Sequence, residues 1–143
     1  MRTGWNQSET TLVPSNVGSS SFALLQSVGL DDQVDAQPLL VANLRIAGRT
    51  HDVVYVATEN DSVYVLDAAS GAILLSYHLG TPVPQSSLPG QCNNNGPNVG
   101  INSTPVIDTP SQTLYLIAHT YESSTLNNQL ATSARTTRSP RFP

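Results

Sequence analysis

The stretch VVYVATENDSVYVLDAASGAILLSYHLG, Val53 to Gly80, decides how the rest of the chain is read. VVYVAT (Val53 to Thr58) and VYVLD (Val63 to Asp67) are short, rich in β-branched and aromatic residues, and alternate as half-buried strands do. Between them ENDS (Glu59 to Ser62) predicts a tight hairpin, because Asn60 and Asp61 tolerate left-handed backbone and bond their own main chain. Asp67 is placed to start the next turn through its carboxylate, and Gly71 to close it with a positive φ. AILLSYHL (Ala72 to Leu79) then supplies a further strand.

Upstream, QPLLVANL (Gln37 to Leu44) is an apolar run bounded by Pro38, and RIAGRTHD supplies a turn at Gly48. Residues 37–80 therefore predict four strands joined by short turns, one antiparallel meander. A loop rich in Pro, Gly and Asn follows (residues 81–100), and the unit then begins again. INSTPVID (Ile101 to Asp108) echoes DAQPLLV, and TLYLIAHT (Thr113 to Thr120) echoes VVYVATEN, with Tyr115 sixty positions after Tyr55. The remainder, ESSTLNNQLATSARTTRSPRFP, reads as neither a strand pair nor a turn. Ahead of the meander, residues 1–36 offer one candidate strand, SSFALLQS (Ser20 to Ser27). No window holds apolar residues at the helical period, and prolines interrupt most candidates.

A four-stranded meander recurring in tandem is the pattern of a β-propeller blade, and propellers close with roughly 4–8 blades. The expected architecture is all-β, about one and a half blades: a complete blade over 37–80, an incomplete one over 101–130, and an Arg-rich tail over 131–143 expected to be disordered or out of frame.

Charge marks that tail. All six basic residues are arginines, and three of them (Arg135, Arg138, Arg141) fall in the last nine positions. Residues 1–130 hold three arginines against ten acids, a charge of −7, whereas residues 131–143 carry +3 without an acid. A nucleic-acid face needs a basic stripe on folded structure, so no nucleic-acid partner is expected. Only 11% of residues are charged, which suits a β-rich protein with polar, uncharged surfaces. The single cysteine, Cys92, excludes an internal disulfide and a Cys-based metal cluster within this sequence. The first residues show no apolar core of a signal peptide, and no apolar run is long enough to span a bilayer, so no membrane partner is expected.

The residues also resemble a family. VYVATENDSVYVLDAASG is similar to the repeat of the pyrroloquinoline-quinone-type (quinoprotein) propellers, in which a strand ends in a small residue, an Asn/Asp turn follows, and a VYALDAATG-like strand and turn close the unit. RTGWNQSETTLVPSNV (Arg2 to Val17), VDAQPLLV (Val34 to Val41) and GINSTPVID (Gly100 to Asp108) look like the opening segments of secreted bacterial members, in that order. The resemblance implies a parent propeller of about eight blades, extracytoplasmic location, and, in family enzymes, pyrroloquinoline quinone with Ca²⁺ held at the propeller centre. Those enzymes hold the pair with carboxylates, an asparagine, an arginine and a stacking tryptophan, often beneath an adjacent cysteine pair. Here there is no cysteine pair and Trp5 lies outside any blade. No cofactor-binding position is therefore carried over, and no cofactor is expected in this chain alone.

Other candidates have plainer readings. DDQVD (Asp31, Asp32, Asp35) has the oxygen ligands of a hard-cation site but neither the Gly nor the distal Glu of a calcium loop, and is read as a solvated acidic loop. His51, His78 and His119 are dispersed over different strands and suit strand edges better than ligands. Cys92, in GQCNNNGPN, has no neighbouring base to activate it. The sequons at Asn6, Asn60 and Asn102 matter only in a eukaryotic secretory setting. No metal ligand and no catalytic residue is assigned, and Asn60, Asp61, Asp67 and Gly71 are read as structural turn residues.

The leading expectation is a truncated amino-terminal piece of a quinoprotein-like propeller with a structural or binding role, its partners the remaining blades of a longer parent. One alternative is a fragment of a quinone- and Ca²⁺-dependent alcohol or sugar dehydrogenase. The other is a propeller module binding a protein or glycan through the loop Thr81 to Asn98.

Overall fold

Turn chemistry sets the first sheet. The structure, a computed structural model, describes residues 7–20, 22–88 and 96–121, together with the backbone of 130–137. β1 (Leu39–Ile46) and β2 (Arg49–Ala57) are joined by a two-residue turn in which Ala47 (φ 48°) and Gly48 (φ 81°) are both left-handed. Two positive φ values match the right-handed twist of the flanking strands. A bulge between Val41 and Leu44 places Asn43 at φ 58°, where its amide donates to Asp52 Oδ1 at 2.8 Å. β3 (Ser62–Asp67) and β4 (Ile73–His78) complete a four-stranded antiparallel sheet in the order β1-β2-β3-β4, hereafter sheet 1.

The loop expected over 81–100 is pinned at both ends. β5 (Val83–Pro84) pairs with β6 (Asn98–Val99), and Gln85–Ser87 form a single 3-10 turn. The second sheet contains β7 (Val106–Asp108), β8 (Thr113–Tyr121) and β9 (Leu130–Thr137), in that order and antiparallel.

Two expectations are corrected here. The chain beyond Glu122 was expected to lack strands, yet β9 forms eight pairs with β8, from Leu114↔Thr137 to Tyr121↔Leu130. Its ATSARTT run carries threonines that suit a sheet edge, and a long β8 offers a full row of main-chain partners. Among the described residues the second unit thus has three strands. SSFALLQS does not form a strand over its described residues, and Phe22, Leu24 and Leu25 are 57%, 84% and 83% exposed. With no ladder partner among the described residues, the apolar run is irregular. The INSTPVID segment is a strand only over its last three residues. One short helix, α1 (Pro14–Val17), precedes all of this; Asn16 Oδ1 accepts the Val13 amide at 3.0 Å and closes that turn.

Burial alternates along β8: Leu114 (7%), Leu116 (6%) and Ala118 (1%) are buried, whereas Tyr115 (43%) and Ile117 (41%) are exposed. Successive strand side chains point to opposite faces, so sheet 2 has one covered face and one open face. The covered face joins Ala36, Ala57, Val63 and Ile101, with Leu39, Tyr55 and Ile107 packed against them, in one apolar cluster. Sheet 1 therefore presents its Tyr55, Ala57 and Val63 face to the Leu114, Leu116 and Ala118 face of sheet 2. A second cluster, Ile46, Val53 and Val65, lies farther along the Tyr55 face. Between the sheets, Val41, Leu44, Tyr55, Ile107 and Leu114 line an apolar cleft of about 80 Å³.

The opposite face of sheet 1 carries an extended strap, residues 26–35. A Cβ on Gly71 would lie 2.9 Å from the Val28 side chain, so only glycine lets the strap approach the β3–β4 corner this closely. Farther along, Asp31 reaches Thr58 and Ser62, on that same opposite face. Among the described residues no helix is long and apolar enough to cross a membrane.

Candidate functional site

The polar side chains converge on the β2–β3 turn. Thr58 N donates to Ser62 O at 2.9 Å, and Asp61, at φ 55°, turns the chain. Asp31 Oδ1 accepts from Thr58 Oγ1 at 2.8 Å, and its Oδ2 accepts from Asn60 Nδ2 at 2.8 Å and Ser62 Oγ at 2.5 Å. Burial opposes ionisation of Asp31, but the hydrogen bonds from Asn60, Ser62 and Thr58 outweigh it and hold the carboxyl below its ordinary value. Asn60 is thus occupied by the strap, and the turn is clasped from outside.

Asp61 departs from its expected role. Its backbone is left-handed as read from the sequence, but its carboxylate bonds no main-chain group of the turn. It is wholly buried, as is Glu59. Glu59 Oε2 accepts the Gly100 amide at 2.7 Å, while Glu59 Oε1 and both Asp61 oxygens have no hydrogen-bond partner among the described residues. Desolvation, then the Glu59 charge, push the Asp61 carboxyl up to about 7. Desolvation likewise raises Glu59; the Gly100 amide opposes this, and the neighbouring Asp35 and Asp32 charges add to it.

Asp32 and Asp35 share Gln33, whose main-chain amide donates to Asp32 Oδ1 at 2.8 Å. Asp32 Oδ2 accepts from Asn98 Nδ2 at 2.8 Å, and Asp35 Oδ1 accepts from Gln33 Nε2 at 2.6 Å. Among the described residues no group of three His, Cys, Asp or Glu side chains is arranged to hold a metal ion.

The histidines serve three different places. His51 Nδ1 lies 2.7 Å from Asp67 Oδ2. His78 Nδ1 lies 3.2 Å from Ser62 Oγ, and His119 Nδ1 lies 2.8 Å from the Gly100 carbonyl oxygen. His78, Ser62 and Asp31 thus form a line, but with the hydroxyl in the middle and donating to the carboxylate. A nucleophilic serine needs the imidazole between it and the acid, so this line does not activate Ser62.

At the β3–β4 corner, Asp67 Oδ1 accepts from the amides of Ala69 (3.2 Å) and Ser70 (2.8 Å) and from Ser70 Oγ (2.7 Å). Gly71, at φ 72°, returns its amide to Asp67 O at 2.8 Å. Hydrogen bonds from His51 and Ser70 hold the Asp67 carboxyl well below the carboxylate range. Trp5, Asn6 and Cys92 lie outside the described residues.

Sequence reasoning treated Glu59 only as part of a turn and missed its burial beside Asp61. The available signal was two acids at alternate positions of one short turn in a chain with few charges. No protein-family model, curated protein or solved structure matches the chain, so the quinoprotein resemblance stands on the quoted residues.

Proposed function

We propose that the chain is repeat material of a quinoprotein-type β-propeller, with sheets 1 and 2 as successive blades and a structural or binding role in place of catalysis. The observation that carries this reading is the direction in which equivalent faces point. Tyr55 and Tyr115 occupy the same place in the sixty-residue echo, as do Val56 and Leu116. Tyr55 packs toward sheet 2, whereas Tyr115 lies on the open face away from sheet 1 and Leu116 packs toward it. One face of the first unit therefore meets the opposite face of the second. A closed two-sheet sandwich brings two inner faces together over a common core. Head-to-tail contact is how tandem repeats stack, and it leaves an unmatched face at the end of the array.

That open face, with Val106 (64% exposed), Tyr115 and Ile117, is where a following blade belongs. The test is sedimentation of the purified chain and of a Tyr115→Asp, Ile117→Asp double variant. The wild type is expected to self-associate and the variant to move toward monomer. A wild type that stays monomeric at high concentration removes the reading. Titration with pyrroloquinoline quinone and Ca²⁺, followed by a dye-linked alcohol or sugar oxidation assay, addresses the dehydrogenase alternative; turnover would replace the scaffold role.

A further inference from the structure

The β2–β3 turn buries two acids that a scaffold role does not require. Glu59 and Asp61 are both 0% exposed, and three of their four carboxyl oxygens have no hydrogen-bond partner among the described residues. Both crowd Gly100: Glu59 Oε2 accepts its amide, and Asp61 Oδ1 lies 2.7 Å from where a Cβ on that glycine would sit. A buried carboxylate without partners is costly, and a second one close by adds repulsion, so such a pair is relieved by keeping a proton.

We propose that Glu59 and Asp61 together retain one proton in the folded chain, and that releasing it loosens the seat of the β2–β3 turn on Gly100, making this junction a pH-sensitive latch. The surroundings favour retention. From the strap, the Asp35 carboxyl lies within hydrogen-bonding reach of Glu59 and, with Asp32, adds negative charge toward it, while Asp31 is engaged with Thr58, Asn60 and Ser62. From β4, His78 faces Ser62; from β8, His119 faces the Gly100 carbonyl. The chain has no lysine to neutralise the pair. Burial, then the Glu59 charge, bring the Asp61 transition to about 7, where a modest change of pH acts on it.

Two main-chain bonds flank the latch and report its state: Leu79 N to Asp61 O at 2.9 Å, and Ile101 N to Thr58 O at 3.3 Å. The test follows the Glu59 and Asp61 carboxyl carbons and the Gly100 amide by nuclear magnetic resonance across the pH range, with amide exchange at Leu79 and Ile101. One carboxyl transition near 7 is expected, coupled to the Gly100 amide and to faster exchange at both reporters. In Asp61→Asn that transition should vanish. In Glu59→Gln, whose amide oxygen still accepts from Gly100, the Asp61 carboxyl should titrate lower. Both carboxyls ionising near the ordinary value of about 4 overturns the proposal. So does a transition unchanged in both variants, or saturable binding of Ca²⁺ that shifts the Gly100 amide and abolishes the transition, since the pair is then a cation site. If Asp61→Asn does not fold, the wild-type and Glu59→Gln carboxyl titrations decide.

Discussion

His51 Nδ1 and Asp67 Oδ2 lie 2.7 Å apart, so the carboxylate that closes the β3–β4 corner also ties that corner to β2. Asp67 is held below its unfolded value, mainly by His51 and Ser70. A depressed carboxyl contributes stability above its unfolded pKa and loses it as pH falls through the folded one. Asp67→Asn should therefore lower the melting temperature at neutral pH and flatten the acid limb of a stability profile measured by denaturant.

Asp61 has the opposite sign. Its folded value, about 7, is above the ordinary 3.8, so the unfolded chain binds fewer protons between the two and stability falls as pH rises through that window. In Asp61→Asn this slope should disappear and stability above the window should rise. Urea midpoints at matched pH values check it; a slope identical to wild type contradicts the burial described.

Gly100 has room for no side chain. An added Cβ would sit 2.3 Å from Glu59 O and 2.7 Å from Asp61 Oδ1. Overpacking of this kind costs about 1–3 kcal/mol, and Gly100→Ala should fall at the upper end because one neighbour is backbone. Chemical denaturation measures it.

The alternation of β8 is testable by a pair of truncations. Leu116→Ala, on the covered face, should cost about 2–5 kcal/mol. Ile117→Ala, on the open face, should stay within about 0.5 kcal/mol at dilutions where the chain is monomeric, because surface substitutions rarely exceed that. Equal costs would place both faces in contact with something.

Gly48 and Gly71 are both left-handed, at φ 81° and 72°, but only Gly71 is crowded. An alanine at Gly48 pays the left-handed penalty of about 1–2 kcal/mol alone. Gly71→Ala must in addition displace Val28, so it should be the more damaging variant in a thermal melt.

Local chemistry made much of sheet 1 legible. The Asp67 to Gly71 corner and the left-handed Asp61 follow from residue types whose preferences act over four or five positions. What escaped depends on distance. Nothing in VYVATEND says that Asp31 is the partner of Thr58, Asn60 and Ser62, or that Gly100 makes room for the Glu59 and Asp61 carboxyls. β9 escaped for another reason: LATSARTT has no apolar alternation, and its strand state comes from pairing with β8. SSFALLQS shows the converse, an apolar run that finds no ladder.

The strap has a consequence for how the chain is made. Asp31 precedes Thr58, Asn60 and Ser62 by 27, 29 and 31 positions, so it leaves the ribosome first. When the β2–β3 turn emerges, its clasp is already outside and free to close on it. The turn can then be secured before sheet 2 has been synthesised.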